Sequence, residues 1–238
     1  MNTLLLRSLI LIAVVLLSCN STTKAPTDQI EEVPQTEWTS LFDGSSLDSW
    51  KGWKQDKPSA KWQVVDGEIV FDPAIEGPGG DLISKEEYEN FEFSLEWKIS
   101  DCGNSGIFWN VVESDEYAYP WLTGPEMQVL DNACHPDAKI DTHRAGDLYD
   151  MIEATPANFR GANEWNEVTI KSENGKMEFW QNGTQVVTFT MHTPEWDAMV
   201  ADSKFNTMPA FGKATKGKLG LQDHGDKVHF RNLKIKVL

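Results

Sequence analysis

The chain has 238 residues, 40% of them hydrophobic and 24% charged, the balance of a globular protein rather than a disordered one. Its formal net charge of -16 repels nucleic-acid phosphates and anionic lipid headgroups, which argues against both as partners and leaves neutral or cationic ligands easier to accept. Its 10 tryptophans supply flat apolar faces, suited to core packing and to stacking on sugar rings.

The chain opens on "MNTLLLRSLILIAVVLLSCN", a short start with Arg7 followed by an apolar run from Ser8 to Leu17. That is an export signal over residues 1–18, too short and wrongly flanked for a spanning helix. Its "LLSC" end, Leu16 to Cys19, resembles a bacterial lipobox, in which the cysteine becomes the lipidated N-terminus. The resemblance implies an exported protein that meets the membrane only through a lipid on Cys19 and faces the periplasm. Residues 19–37 are polar, contain proline and lack periodicity, and read as a flexible tether; the folded domain is expected over 38–238.

From Thr39 onward alternation dominates. "WQVVDGEIVF" reads as two strands around the two-residue turn Asp66-Gly67. "FEFSLEWKIS" puts Phe91, Phe93, Leu95, Trp97 and Ile99 on one face of a half-buried antiparallel strand. "SGIFWNVV", "EMQVLD" and "GDLYDMI" are expected as further strands. "WNEVTIKSENGKMEFWQNGTQVVTFTM" gives three more, joined at Asn174-Gly175 and Asn182-Gly183, so its Asn-Gly-Thr is read as turn chemistry rather than a glycosylation site. One helix is expected in "TPEWDAMVADSKF", with Thr193 as N-cap, Pro194 in first position and Trp196, Met199 and Val200 at helical spacing. "GKLGLQD" and "KVHFRNLKIKVL" close the chain. In the last strand the apolar parity switches from Val228 and Phe230 to Leu233, Ile235 and Val237, which predicts a bulge or sheet crossing at Arg231-Asn232. Many short strands and one short helix imply an all-β jelly-roll sandwich of two antiparallel sheets.

Four stretches carry candidate chemistry. In "DCGNSGIFWNV", Asn104 sits in a Gly-rich turn, where it serves either the local backbone or a substrate. In "GPEMQVLD", Glu126 and Gln128 share a strand face about 7 Å apart, opposite Met127 and Val129. Ordinary glycoside hydrolysis uses two carboxylates, and Gln128 cannot ionise. The stretch resembles the Glu-x-Asp-x-x-Glu strand of jelly-roll glucanases but lacks its middle acid, and Asp131 falls out of phase. In "HPDAKIDTHRAGDLYDMI" the histidines match no tight metal spacing; a divalent cation held by the acids stays open, and Arg144 is a candidate for stabilising an oxyanion. In "GLQDHGDKVHFRN", Gln222 and His224 share a parity opposite Leu219 and Leu221. Cys102 and Cys134 are either a disulfide or two buried thiols.

"LFDGSSLDSW", "GNSGIFW", "PEMQVLD", "AGDLYD", "NEWNEVTI", "WQNGTQV" and "GLQDHGDKVHFRNLKIK" span nearly all of Leu41 to Leu238. In that order they resemble the secreted bacterial 3-keto-disaccharide hydrolase domain, formerly a domain of unknown function, DUF1080. The chain differs at Trp109, where the family commonly has arginine, and in "GDLY", where it has "GALY". The resemblance implies a concanavalin-like jelly roll. It also implies cleavage of glycosides already oxidised at C3 by a separate dehydrogenase: proton removal from C2, β-elimination of the C1 substituent, then hydration. Placed on that reaction, Glu126 and His224 are the acid/base pair in either order, and Gln128 and Gln222 bind hydroxyls or the ketone. Asn104 positions substrate, Arg144 or a cation holds the enolate, and Asp131 orients His224 or a ligand. Trp109 and Tyr149 are sugar platforms. No organic cofactor is implied. Two other classes compete: a non-catalytic lectin-like module, and a conventional glucanase, which Gln128 disfavours.

Overall fold

The computed structural model describes residues 37–238. The export signal, Cys19 and most of the expected tether lie outside the described residues.

Thirteen strands and one α-helix follow in chain order. They are β1 Thr39–Ser40, β2 Trp50–Gly52, β3 Trp62–Val65, β4 Glu68–Phe71, β5 Leu82–Tyr88, β6 Phe91–Ile99 and β7 Asn104–Val111. After these come β8 Glu126–Leu130, β9 Asn166–Glu173, β10 Lys176–Gln181, β11 Thr184–Thr190, α1 Pro194–Asp202, β12 Gly217–Leu221 and β13 Val228–Val237. All pairings are antiparallel and form two sheets. An eight-stranded sheet runs β11-β10-β9-β6-β13-β4-β3 with β1 added on β13, and a five-stranded sheet runs β2-β5-β12-β7-β8. This is the expected jelly-roll sandwich.

The alternation fixes which side of each strand faces in. Phe91, Phe93, Leu95, Trp97 and Ile99 from the eight-stranded sheet meet Ile107, Trp109, Met127, Val129, Leu219 and Leu221 from the five-stranded one, all at 1% exposure or less. The three expected hairpins turn at Asp66-Gly67, Asn174-Gly175 and Asn182-Gly183, with both residues of each at positive φ. The parity switch in β13 is a bulge: its register against β6 shifts between Arg231 and Lys234, and Asn232 takes φ 56°. Arg231 and Asn232 both donate to Glu96 across that bulge, and Arg231 stacks on Trp165.

One expected strand is absent. "GDLYDMI" makes only isolated bridges, Leu148 with Met127 and with Ile152, because the chain reverses at Asp150 (φ 64°) before a ladder can extend. Asp147, where the family pattern has alanine, is buried in that reversal and accepts from Ala154 N and Arg144 N.

α1 begins as expected, with Thr193 Oγ1 accepting from Trp196 N at 3.2 Å. It ends at Ser203, whose hydroxyl accepts from Phe205 N and starts a 3-10 turn over Lys204–Thr207. An aromatic column pins that turn: Phe189 stacks on Trp196, Trp196 on Phe211, and Phe211 on Phe205.

Cys102 and Cys134 are joined as a disulfide with Cα atoms 4.7 Å apart, and both are exposed, so the alternative of buried thiols fails. The bridge closes a loop between residues 32 apart that contains the whole of β7 and β8. Replacing both by serine is expected to lower stability by about 2–4 kcal/mol, measured as a shift of the urea midpoint at constant slope.

Candidate active site

The outer face of the five-stranded sheet carries the candidate site. β7 and β8 pair with Phe108 opposite Glu126 and Gly106 opposite Gln128. With Met127 and Val129 committed to the core, Glu126 and Gln128 project together on the other side, as their spacing predicts. Gln222, just past β12, is tied to β7 on both sides of its peptide: its N–H donates to Gly106 O at 2.9 Å, and its carbonyl accepts from Ser105 Oγ at 2.8 Å. Asn104, Glu126, Gln128, Gln222 and His224 form the polar lining of a cavity of about 250 Å³. Trp121, Tyr149, Phe205, Met208 and the stem of Lys204 form its apolar wall.

Glu126 is 7% exposed, and among the described residues none donates a hydrogen bond to its carboxylate. Burial therefore pushes its pKa up to about 8, with Asp81 and Asp137 adding to the rise and Lys204 opposing it. The side chain lies flat across β7 because residue 106 is glycine: a Cβ there would overlap the carboxylate. Behind the site, Asp81 is likewise pushed up to about 7, chiefly by burial, while its carboxylate accepts from Asp223 N. Asp223 in turn accepts from Gly80 N and Gly225 N, which fixes the turn that holds His224 at the exposed rim.

Several residues of the lining have hydrogen-bonding capacity unused by protein groups among the described residues. The side-chain oxygens of Asn104 and Gln222 are buried without a protein partner among the described residues. Gln128 Oε1 accepts from Val129 N, which leaves its NH₂ for a ligand. These are suitable partners for sugar hydroxyls or a ketone. The Lys204 ammonium stands 3.7 Å from the centre of the Tyr149 ring, and the Lys204 backbone N–H donates to Asp150. Burial lowers the Lys204 pKa, against the opposing pull of Glu126, Asp150 and Asp137. The Tyr149 hydroxyl is pushed to a higher pKa by burial first and by Glu126 and Asp137 next.

Residues 37–236 match the family model of the 3-keto-alpha-glucoside-1,2-lyase-like domain. The chain belongs to that family. It is 37% identical to a 3-keto-disaccharide hydrolase of Bacteroides thetaiotaomicron, over 84% of this chain and 78% of that protein. A crystal structure from Parabacteroides distasonis, assigned provisionally as a glycosyl hydrolase, superposes with TM-score 0.78 at 33% identity, over 84% of this chain and 94% of that one. A galectin-like protein from Bacillus subtilis shares the fold alone, with TM-score 0.55 at 12% identity over 87% of this chain and 97% of that one. As a family member the protein is a glycoside-cleaving enzyme.

Of the residues expected in the site, Asn104, Glu126, Gln128, Tyr149, Gln222 and His224 do line one cavity. Three others do not. Trp109 is fully buried between the sheets, edge-on to Phe179 at 5.2 Å, and offers no face to a sugar. Asp131 caps the disulfide loop, accepting from Cys102 N and Ala133 N, so it orients neither His224 nor a ligand. The Arg144 guanidinium is spent on the loop itself, bonded to Ala138 O and paired with Asp141 at 2.7 Å. The one compact group of potential metal ligands among the described residues is Cys102, Asp131 and Cys134. Its sulfurs are joined to each other and its carboxylate is held by backbone amides, so it does not fit a cation.

Sequence reading missed Lys204 and Trp121. Lys204 lies at the tail of the helical pattern, where a lysine is ordinarily a solvated end. Ser203 after the helix was the available signal that the chain turns there. Three depressions are larger: two of about 340 and 410 Å³ over the eight-stranded sheet, and one of about 400 Å³ lined by Lys51, Lys54, Asp56, Glu113 and Asp115. None holds a buried, unpaired carboxylate like Glu126: Glu96 pairs with Arg231, Glu178 with Lys176, Glu92 with Lys236 and Glu113 with Lys51, while Glu167, Asp56 and Asp115 are exposed.

Proposed function

We propose that the protein cleaves glycosides oxidised at C3, by elimination followed by hydration, in the cavity floored by Glu126. The observation that carries this is the count of carboxylates: Glu126 is the one carboxylate in the lining. A glycosidase of the usual kind needs two, about 5–10 Å apart. A C3 ketone removes that need, because it acidifies the C2 hydrogen and lets a single base start the reaction.

Glu126, in its ionised form, takes the C2 proton, and the C–H electron pair becomes the C2=C3 bond of an enolate with its charge on the C3 oxygen. The Lys204 ammonium faces that charge, in place of Arg144. The enolate then reforms the ketone, its pair becomes a C1=C2 bond, and the C1–O bond breaks. A cavity of about 250 Å³ lies below the roughly 300–1,000 Å³ of ordinary ligand pockets. It takes about one hexose ring, which leaves the departing group at the mouth. His224 stands at that rim and supplies the proton to the leaving oxygen. Water then adds at C1 and a proton returns to C2, giving the free 3-keto sugar. Asn104, Gln128 and Gln222 hold the ring hydroxyls and ketone. An exported setting behind a lipidated Cys19, with a separate dehydrogenase supplying the substrate, completes this reading.

Purified protein should release the aglycone from a 3-keto-glucoside and leave the unoxidised parent intact. His224→Ala should slow release about 10²–10⁴-fold with the fold retained. Sugar binding without turnover would instead favour a lectin-like role. Repeating the assay with a chelator separates an enolate held by Lys204 from one held by a cation, since loss of rate would point to the cation.

A further inference from the structure

Trp121 is the largest apolar side chain in the cavity lining, and it does not stand alone. Tyr119 stacks on it with centroids 5.1 Å apart and planes 7° from parallel. Trp121 is half-buried; Tyr119 is 52% exposed. An indole with one face covered by a parallel phenol ring has its other face and edge left for the cavity.

The segment that carries the pair is braced. Thr123 N and Gly124 N both donate to Pro120 O, Leu122 N donates to Tyr119 O, and Thr123 Oγ1 accepts from Val112 N. Gly212 N reaches Thr123 O from the segment beyond Phe211, and the Trp53 indole donates to Ala118 O at 2.9 Å. The rings are thus set in place before a ligand arrives, which reduces the ordering cost of binding.

We infer that Trp121, backed by Tyr119, is a leaving-group subsite at the mouth of the cavity, selective for a C1 substituent with a flat ring face, aromatic or pyranose. This rests on the reading of the cavity above. The cavity holds about one ring, so the C1 substituent must lie outside it, and Trp121 is the lining residue that continues into an exposed aromatic surface. A flat ring gains contact along the indole face; a methyl group reaches too little of it. Tyr119 is a positioning residue in this arrangement, holding the indole rather than the substrate.

Binding is read on Glu126→Gln, which holds 3-keto-glucosides without consuming them, by calorimetry with the methyl, 4-nitrophenyl and glucosyl compounds of one anomer. The ring-bearing compounds should bind about 3- to 10-fold tighter than the methyl one. Adding Trp121→Ala should bring the ratio close to one, and adding Tyr119→Ala, at an exposed position that the fold tolerates, should reduce it in part. The aryl and glucosyl arms show whether an aromatic or a sugar ring is preferred. Equal affinities for all three compounds, no binding of any of them, or a preference that survives both substitutions would overturn the subsite. Absence of aglycone release by the unmodified enzyme would sink the elimination chemistry alone, because the binding ratios are measured without turnover.

Discussion

Glu126→Gln is expected to abolish aglycone release, by about 10²–10⁴-fold or more, while making the protein more stable. Both effects come from the same burial. The unfolded chain holds Glu126 near the ordinary glutamate value of 4.5, and the folded protein holds it at about 8. Between those values the folded state binds a proton that the unfolded state has released. The contribution of this carboxyl to stability is therefore fully present below about pH 4.5, declines as pH rises, and is lost above about pH 8. Glutamine has no proton to lose. The gap in unfolding free energy between variant and parent, read as a growing difference in melting temperature, should widen from pH 5 to pH 8 and then level off at no more than about 5 kcal/mol. Asp81 and Asp147, both pushed up to about 7 chiefly by burial, give the parent protein a similar decline and are unchanged in the variant. Thermal melts across that range check the prediction. A gap independent of pH would show that Glu126 is not held protonated by the fold, and would leave its role resting on its place in the cavity alone.

Much of this architecture is legible because strand parity is a local property. Met127 and Val129 on one side require Glu126 and Gln128 on the other, and Leu219 and Leu221 do the same for Gln222. The break of parity in β13 marks its bulge without any knowledge of the partner strand. The errors fall where parity is silent. Trp109 alternates correctly with Ile107, but alternation does not say whether its face meets a second sheet or a ligand. "GDLYDMI" has the composition of a strand, yet Asp150 at positive φ and the buried Asp147 carboxylate turn it back on itself. Arg144 has the right charge for an enolate, but its neighbours Asp141 and Glu153 consume it. Lys204 reaches the site through the Phe189–Trp196–Phe211–Phe205 column, contacts spread across distant positions, and no window of local sequence reports them.

Lys204→Met should reduce kcat by about 10²–10³-fold and shift the pH dependence of what remains. The two effects have different origins. On the proposed mechanism the loss of rate follows from removing the one ammonium in the cavity lining; methionine keeps the packing against Tyr149 and Phe205 but not the charge. The shift follows from electrostatics in the resting enzyme. Lys204 holds the Glu126 pKa down against burial, so without it that pKa rises further above about 8. In the proposed mechanism the ionised carboxylate is the base for the C2 proton, so the ascending limb of kcat/KM should move to more alkaline pH. Lys204 is accessible from solvent at the rim, so water screens its charge and the displacement should be modest and shrink in high salt. Lys204→Arg keeps the charge and should restore the limb while recovering only part of kcat, because a planar guanidinium cannot occupy the same point above Tyr149. A displaced limb with kcat intact would limit Lys204 to tuning Glu126. Loss of kcat with the limb unmoved would place its action on the enolate alone. If neither changes, the proposed charge at C3 is stabilised by other groups, and the side-chain NH₂ groups of Asn104, Gln128 and Gln222 are the amide donors in the cavity lining to do it.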